Sequence, residues 1–230
     1  MARSMPSAGD QPTSVVYTDR WIRYYDFVVL TLSTRLVWGC PEPRLVDLYK
    51  RNLGPRHLDV GVGTGKMLDT AARSAGRAGL DELHLLDINA DPLKLTGQRL
   101  RRFSPITYQA DALGTWPLED NTLSSVCASL VLHTLPDDGR GFAAKASFFD
   151  QAARVLVPGG RFFGSTIVSD APFARRNPLA RVLMSVYNRR EIFTNSRDSS
   201  KDLRAELEAR FTNVRVRVRG CTAIWEADAR

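Results

Sequence analysis

The chain has 230 residues, of which 43% are hydrophobic and 25% are charged, and its formal net charge is +7. This composition predicts one globular domain with a sizeable core, and it excludes a fibrous or wholly disordered protein. The basic residues are spread along the chain rather than gathered in one run, so a solvated arginine-rich surface is a better interpretation than a nucleic-acid footprint.

The three cysteines, Cys40, Cys127 and Cys221, stand far apart in the sequence. An odd number without a CxxC pair predicts neither a zinc site nor a disulfide framework and fits reduced thiols in the cytoplasm. The apolar stretch 27–38 is too short to span a bilayer and contains Arg35. We therefore expect a cytoplasmic protein with no metal site and no membrane partner.

The N-terminal part of the chain divides into two segments. Residues 1–12 are expected to form a disordered tail ahead of a single domain, 13–230. Within that domain, residues 13–50 are rich in aromatic side chains and are predicted to form a helical cap. We expect some of these aromatic residues to line the substrate side of a pocket, with core packing as the open alternative: Tyr24, Tyr25 and Trp38.

The central part of the chain alternates short apolar runs with longer amphipathic ones. Strands are predicted at 57–61, 83–88, 105–111, 124–132 and 161–169. Helices are predicted at 66–78, 91–102 and 141–156, the last one ended by Pro158-Gly159-Gly160. This alternation is typical of an α/β protein with a parallel sheet. A second segment outside the alternation, 170–198, is predicted to form a lid, because such insertions usually cover an active site.

The C-terminal part has a different pattern. A helix predicted at 200–210 precedes NVRVRVRG (213–220) and a last strand at 222–228. Strict alternation of valine and arginine predicts a half-buried strand near an edge of the sheet. The arginines could bind phosphate, but we favour a charged edge that discourages aggregation. The short Gly220-Cys221 connection predicts a hairpin, so the last strand should run antiparallel to its neighbour.

A glycine-rich turn follows the first predicted strand, in HLDVGVGTGKML (57–68). Glycine allows a ligand to approach the backbone closely. A phosphate-binding P-loop does not fit, because Val60 replaces its first glycine and Met67 replaces its hydroxyl residue. A dinucleotide-binding loop fits only in part, because Lys66 stands at the position of its third glycine.

A third pattern, D-x-G-x-G-x-G, is matched in full by Asp59, Gly61, Gly63 and Gly65. This turn resembles motif I of the class I S-adenosylmethionine-dependent methyltransferases. Later segments, in the order and spacing of that family, are similar to its other motifs: LLDIN, YQADAL, SVCASLVLHTLPD (125–137) and VLVPGGRFFGSTIV (155–168). The last two resemble the ubiquinone/menaquinone-biosynthesis-type branch, which is type 11/12-like. The resemblance implies a Rossmann-like α/β fold whose seven-stranded sheet has the order 3-2-1-4-5-7-6, with helices on both faces and an antiparallel last strand.

The resemblance also implies which residues hold S-adenosylmethionine. The glycine turn would wrap the amino-acid tail and the ribose of the cofactor. Asp87 would accept hydrogen bonds from the ribose hydroxyls, as in dinucleotide folds, and Ile88 belongs to the same part of the site. Asp111 would accept a hydrogen bond from the adenine amino group, and Ala112 would flank the ring.

The fourth-strand motif implies further contacts. Ser129 and Leu130 are expected to bind the cofactor, and His133 is the candidate catalytic base. Thr134 replaces the second histidine that is often found there. His133 has an open alternative, because a lone histidine after a strand is more often structural.

The predicted function is methyl transfer from S-adenosylmethionine to a small-molecule acceptor by in-line displacement. The sulfonium already activates the leaving group, so the protein mainly aligns the reactants and excludes water, and no conspicuous triad is required. An RNA or protein methyltransferase is one alternative, although the Asp/Asn-Pro-Pro-Tyr/Phe/Trp motif of base-amino methyltransferases is missing. A cofactor-binding protein without methyl transfer and a nicotinamide dehydrogenase are the others. A nucleic-acid partner is disfavoured, and an oligomer is possible.

Overall fold

The computed structural model describes residues 35–74 and 80–230. In this part of the chain, seven strands form one sheet with the order β3-β2-β1-β4-β5-β7-β6. The strands are β1 Arg56–Val60, β2 Glu82–Asp87, β3 Ile106–Gln109, β4 Leu123–Ser129, β5 Leu156–Ile167, β6 Phe211–Arg219 and β7 Thr222–Ala229. Strands β1 to β5 pair in parallel, and β7 pairs antiparallel with both β5 and β6. The predicted fold class and strand order are confirmed.

Helices flank this sheet on both faces, as expected. Those in the described ranges are α1 Glu42–Asn52, α2 Lys66–Ser74, α3 Ala90–Arg99, α4 Ala146–Val155, α5 Pro172–Arg176, α6 Pro178–Arg189 and α7 Ser200–Arg210. Neighbouring strand residues enter different cores: Phe162 packs in the cluster that contains α4 and α7 residues, and Phe163 in the cluster that contains α1 and α2 residues. Because helices cover both faces, the central strands β1, β2 and β4 are buried at almost every position.

Two predicted boundaries around the central strands are wrong. Strand β4 ends at Ser129 rather than at 132, because Leu130 has φ +60 and a short 3₁₀ turn, Leu132–Thr134, follows. The predicted helix 141–156 is a 3₁₀ turn at 141–145 followed by α4.

Strand β5 begins five residues earlier than predicted, at Leu156 instead of 161. The Pro-Gly-Gly sequence that was interpreted as a helix stop therefore lies inside the strand. It coincides with a register shift against β4, and Gly159 has φ +77 there. A proline without an N–H and a glycine at positive φ are typical of a β-bulge.

The C-terminal hairpin matches its prediction. In the edge strand β6 the valines are half-buried and the arginines are exposed. Gly220 has φ +61, and a Cβ there would lie 1.9 Å from the carbonyl oxygen of Trp38. The Cys221 N–H donates to the same oxygen at 2.7 Å. The hairpin thereby fixes the segment around Trp38 beside the carboxyl end of β5.

Several predictions fall on residues that the structure does not describe. Tyr24, Tyr25, the tail 1–12 and most of the cap 13–50 lie outside the described ranges. No helix in those ranges is long and apolar enough to cross a bilayer.

Candidate functional site

The three glycines of the turn after β1 have positive φ values, +68 at Gly61, +51 at Gly63 and +65 at Gly65. They are required for different reasons. A Cβ at Gly61 would lie 2.3 Å from a Val131 methyl, and one at Gly65 would lie 2.5 Å from a Thr96 methyl. A Cβ at Gly63 would meet nothing within 4 Å. Two glycines therefore allow close packing of the turn, and Gly63 presents bare backbone to open space.

That open space belongs to a cavity of about 430 Å³ at the carboxyl ends of β1, β4 and β5. Its polar side is formed by the glycine turn, Asp59 and Ser129. Its apolar side is formed by residues from the segment before α1 and from the insertion 170–198: Trp38, Leu183, Tyr187, Ile192 and Phe193. Ligand sites in open α/β sheets occur at this end of the strands.

Asp59 is the penultimate residue of β1, lies at the polar side of the cavity and is only 3% exposed. The Tyr49 hydroxyl, from α1, donates to its carboxylate at 2.9 Å. Burial raises the pKa of Asp59 to about 7, and the negative charge of Asp87 adds to the rise, whereas hydrogen bonds from Tyr49 and Cys127 oppose it. A carboxyl held near neutral pKa can change its charge when a cation binds beside it.

Asp87 lies at the end of β2, directly behind the glycine turn. Its carboxylate accepts the Asn89 N–H at 3.0 Å. Burial raises its pKa, and backbone hydrogen bonds from Asn89, Val62 and Gly63 partly offset that rise. The side chain therefore stabilises the turn, and it does not line the cavity itself. Ile88, the next residue, is 59% exposed, which is unusual for isoleucine and leaves an apolar surface beside Asp87.

Asp111 and Ala112 follow β3 but do not line the cavity. Asp111 is exposed and accepts the Leu113 N–H at 2.9 Å, so its carboxylate closes a local turn. Ala112 is buried, and its carbonyl accepts the Trp116 indole N–H at 3.0 Å. The structure places these two residues near the end of β2 through the pairing of β2 with β3, outside the wall of the cavity.

Ser129 and Leu130 both line the cavity at the end of β4. The Ser129 hydroxyl hydrogen-bonds the Ser165 hydroxyl at 2.8 Å, and the Leu130 N–H donates to the Ser165 carbonyl at 2.7 Å. Leucine at φ +60 is sterically unfavourable. Such strained residues cluster at functional sites, where surrounding contacts hold them.

His133 lines the cavity and is 4% exposed. Its Nδ1 lies 3.3 Å from the Thr166 hydroxyl, and its ring stands edge-on to Phe193 at a centroid distance of 4.4 Å. Burial lowers the pKa of His133 to about 3, and the nearby positive charge of Lys145 lowers it further. The imidazole is therefore neutral at physiological pH, which leaves one ring nitrogen as a hydrogen-bond acceptor.

The apolar side of the cavity is a cluster of three aromatic rings. The Trp38 ring lies 6.4 Å from that of Tyr187 and 5.6 Å from that of Phe193, and the Tyr187 and Phe193 rings are 5.0 Å apart. These separations are typical of stabilising aromatic contacts. Trp38, for which the sequence left substrate contact and core packing open, is buried and also lines the cavity.

A buried ion pair is formed by the last residue of the insertion 170–198. Lys145 donates to Asp198 at 2.6 Å, and both side chains are fully buried. The other carboxylate oxygen of Asp198 has no partner within the described residues. The chain just before Asp198 is tied to the site as well, because the Thr194 N–H donates to the His133 carbonyl at 2.8 Å.

Sequence reasoning missed several residues that line the cavity. Tyr49 was noted only as one aromatic residue among many, and it lies in α1, ten residues before Asp59 of β1. Four residues of the insertion were not singled out either: Leu183, Tyr187, Ile192 and Phe193. A spacing of 183 and 187 predicts one helix face, but nothing local indicates which surface that face covers.

Comparisons with known proteins identify the family and the fold of the chain. Residues 58–164 match the family described as "Methyltransferase domain". The chain is 35% identical over 214 residues to demethylluteothin O-methyltransferase of Streptomyces thioluteus, covering 92% of this chain and 88% of that protein. It is 30% identical over 223 residues to N-methyltransferase vrtF of Penicillium aethiopicum, covering 96% and 89%. Among solved structures, an S-adenosylmethionine-dependent methyltransferase from Aquifex aeolicus has the same fold, with a TM-score of 0.58, 15% identity and coverage of 93% and 100%.

Proposed function

Since the chain belongs to the class I S-adenosylmethionine-dependent methyltransferases, we propose that it binds S-adenosylmethionine at the glycine turn and methylates a small molecule in the adjoining apolar space. The observation that carries the proposal is the bare backbone at Gly63, which opens into a cavity with one polar and one apolar side. The polar side suits the charged tail of the cofactor. The apolar side suits an acceptor that is itself largely apolar.

The cofactor contacts follow from charge and position. The Asp59 carboxylate would attract the ammonium of the amino-acid tail, with Gly61, Gly63 and Gly65 providing close backbone approach. The Asp87 carboxylate, fixed at the edge of the turn, would accept hydrogen bonds from the ribose hydroxyls.

The adenine would then lie on the open surface past β2 and β3. Ile88 offers an exposed apolar surface for one face of the ring, next to Asp111 and Ala112. Ser129 and Leu130 would contact the part of the cofactor nearest the acceptor. When bound, the cofactor supplies an electrophilic methyl group on a sulfonium.

The acceptor is proposed to be a small, flat and mainly apolar molecule with a hydroxyl group. A flat molecule can pack among the rings of Trp38, Tyr187 and Phe193. Of the arginines and lysines in the described ranges, only Lys66 lines the cavity, and it is bonded to Glu42 at 2.9 Å. A cavity with so little positive charge favours a small molecule over an RNA backbone. The relative from Streptomyces thioluteus is named as an O-methyltransferase, which supports oxygen as the methylated atom.

His133 is proposed to orient the acceptor hydroxyl. A neutral imidazole can accept a hydrogen bond from that hydroxyl and take its proton as the oxygen is methylated. Its low proton affinity suits this late transfer better than full deprotonation beforehand. Alignment within the closed cavity and exclusion of water supply the remainder of the rate acceleration.

The test combines cofactor binding with turnover. Calorimetry should detect one molecule of S-adenosylmethionine per chain and no binding of NAD⁺; the reverse result would replace the proposal with a dehydrogenase. Transfer of isotopically labelled methyl groups is then measured with a panel of hydroxylated aromatic small molecules and with total RNA. Labelling of a small molecule that is insensitive to salt supports the proposal. Salt-sensitive labelling of RNA alone contradicts it, and so does cofactor binding without transfer to any member of a broad panel.

A further inference from the structure

A second concave site, here called the arginine cleft, lies where α1 meets the strands β5, β7 and β6. It measures about 490 Å³. Six arginines from three parts of the chain line it: Arg44, Arg51, Arg161, Arg215, Arg217 and Arg219. The acidic residues that line it are Asp47 and Glu226, so the cleft has a large excess of positive charge.

The sheet explains why so many arginines face one cleft. Arg215, Arg217 and Arg219 alternate along β6 and therefore point to the same face, roughly 6.5 to 7 Å apart. Arg215 pairs in register with Glu226 of β7, and Arg217 with Ile224. Arg161 of β5 approaches from the other side of β7.

Some of these charges are neutralised, and others are not. Arg51 lies 3.4 Å from Glu226, which also accepts a hydrogen bond from Asn52 at 2.8 Å. Arg161 lies 2.8 Å from Asp228. No carboxylate of the described residues is within ion-pair distance of the other four arginines, namely Arg44, Arg215, Arg217 and Arg219. Like charges this close repel one another unless an anion lies between them.

A protective edge does not account for the whole cluster. Charged residues on β6 alone would discourage pairing between chains. Arg44 belongs to a helix and Arg161 to an inner strand, yet both face the same concavity as the β6 arginines. Convergence from separate elements is characteristic of a binding site rather than of an edge.

We propose that the arginine cleft binds a small polyanion that carries at least two phosphate groups. Guanidinium groups match phosphate oxygens with two parallel hydrogen bonds, and several at this spacing can engage neighbouring phosphates. The volume is that of a small-molecule site. This inference does not depend on the proposed methyl transfer, because the cleft and the cavity share no lining residue.

The test uses calorimetry with inorganic tripolyphosphate at an ionic strength of about 0.15 M, where weak surface attraction is largely screened. The wild-type chain should bind one tripolyphosphate. The variant R215Q/R217Q/R219Q should bind at least about tenfold more weakly, because it loses charge-assisted bonds. The control R101Q/R189Q/R190Q removes the same charge from exposed arginines outside the cleft and should change the affinity less than about twofold.

Circular dichroism would verify that both triple variants are folded. If R215Q/R217Q/R219Q is not folded, the single variant R44Q on α1 should show weaker tripolyphosphate binding instead. Equal weakening in the cleft and control variants would overturn the proposal, because it would indicate attraction by net charge alone. Absence of tripolyphosphate binding by the wild type would overturn it too. So would binding confined to an RNA oligonucleotide, since that result assigns the cleft to a macromolecule.

Discussion

The two sides of the cavity are built in different ways. The polar side, proposed above to hold the cofactor and here called the cofactor side, comes from the glycine turn and Asp59 near the end of β1 and from Ser129 at the end of β4. The acceptor side comes from Trp38, far upstream, and from the insertion 170–198, far downstream. Its side chains are apolar and meet only in the folded chain. If the polar side holds the cofactor and the apolar side selects the acceptor, as proposed, each task can be disturbed alone.

The largest expected effect is on the cofactor side, in Gly63→Val. The valine would fill the space next to the bare backbone, so binding of S-adenosylmethionine should be lost while the fold remains. The control variant is Gly139→Val, which introduces the same backbone strain of a side chain at positive φ. Gly139 has φ +95 and equally open surroundings but does not line the cavity. Calorimetry on both variants checks this. Normal binding by Gly63→Val would show that the cofactor lies elsewhere.

On the acceptor side, Asp198→Asn should cause the largest loss of stability. It leaves the fully buried Lys145 ammonium without its carboxylate, and breaking such a pair costs about 3–5 kcal/mol. Denaturant unfolding measures the change. Asp138→Asn, which breaks an exposed pair with Arg140, should leave the unfolding midpoint unchanged. If the two variants unfold alike, the buried pair is not what anchors the insertion.

A smaller effect is expected from Asp87→Ala on the cofactor side. The variant should weaken S-adenosylmethionine binding by about 1–3 kcal/mol, the cost of leaving polar partners unsatisfied. Asp91→Ala, four residues later in an exposed position of α3, serves as the control and should bind normally. Titration calorimetry at constant pH distinguishes them. Unchanged affinity in Asp87→Ala would remove this carboxylate from the ribose contacts.

The smallest effect, and the most specific, is expected from Tyr49→Phe. Asp59 must be ionised to attract the cofactor ammonium, and its pKa is about 7. Wild-type affinity should therefore fall as the pH drops below 7, by up to about tenfold per pH unit. Because the Tyr49 hydrogen bond stabilises the carboxylate, its loss raises the pKa and shifts this fall to higher pH, with a loss of about 0.5–1.5 kcal/mol at neutral pH.

The control for that experiment is Tyr108→Phe. Its hydroxyl lies 3.1 Å from His84, on the outer strands of the sheet and away from the cavity. Its pH profile should match that of the wild type. A Tyr49→Phe profile that also matches the wild type would mean that Asp59 does not take part in binding.

Sequence patterns predicted the glycine turn well because its geometry is local. Strand–helix alternation was enough to predict an α/β sheet, and the resemblance carried by Asp59 and the three glycines implied its strand order. The patterns failed where tertiary contacts decide. Pro158-Gly159-Gly160 was interpreted as a stop, although a bulge in β5 accommodates it, and the Tyr49–Asp59 hydrogen bond joins elements that no motif connects. Phe193 could not be found either, since its ring contacts with Trp38 and His133 join segments that are far apart in the sequence.

The most direct test of the account is a crystal structure with S-adenosylhomocysteine bound. We predict that its amino-acid tail will lie against Gly63 with the amine near Asp59, and its ribose at Asp87. The sulfur should face the space between His133 and the rings of Trp38, Tyr187 and Phe193. A product molecule that lies outside this cavity, or with its sulfur directed away from the aromatic rings, would contradict the division into a cofactor side and an acceptor side.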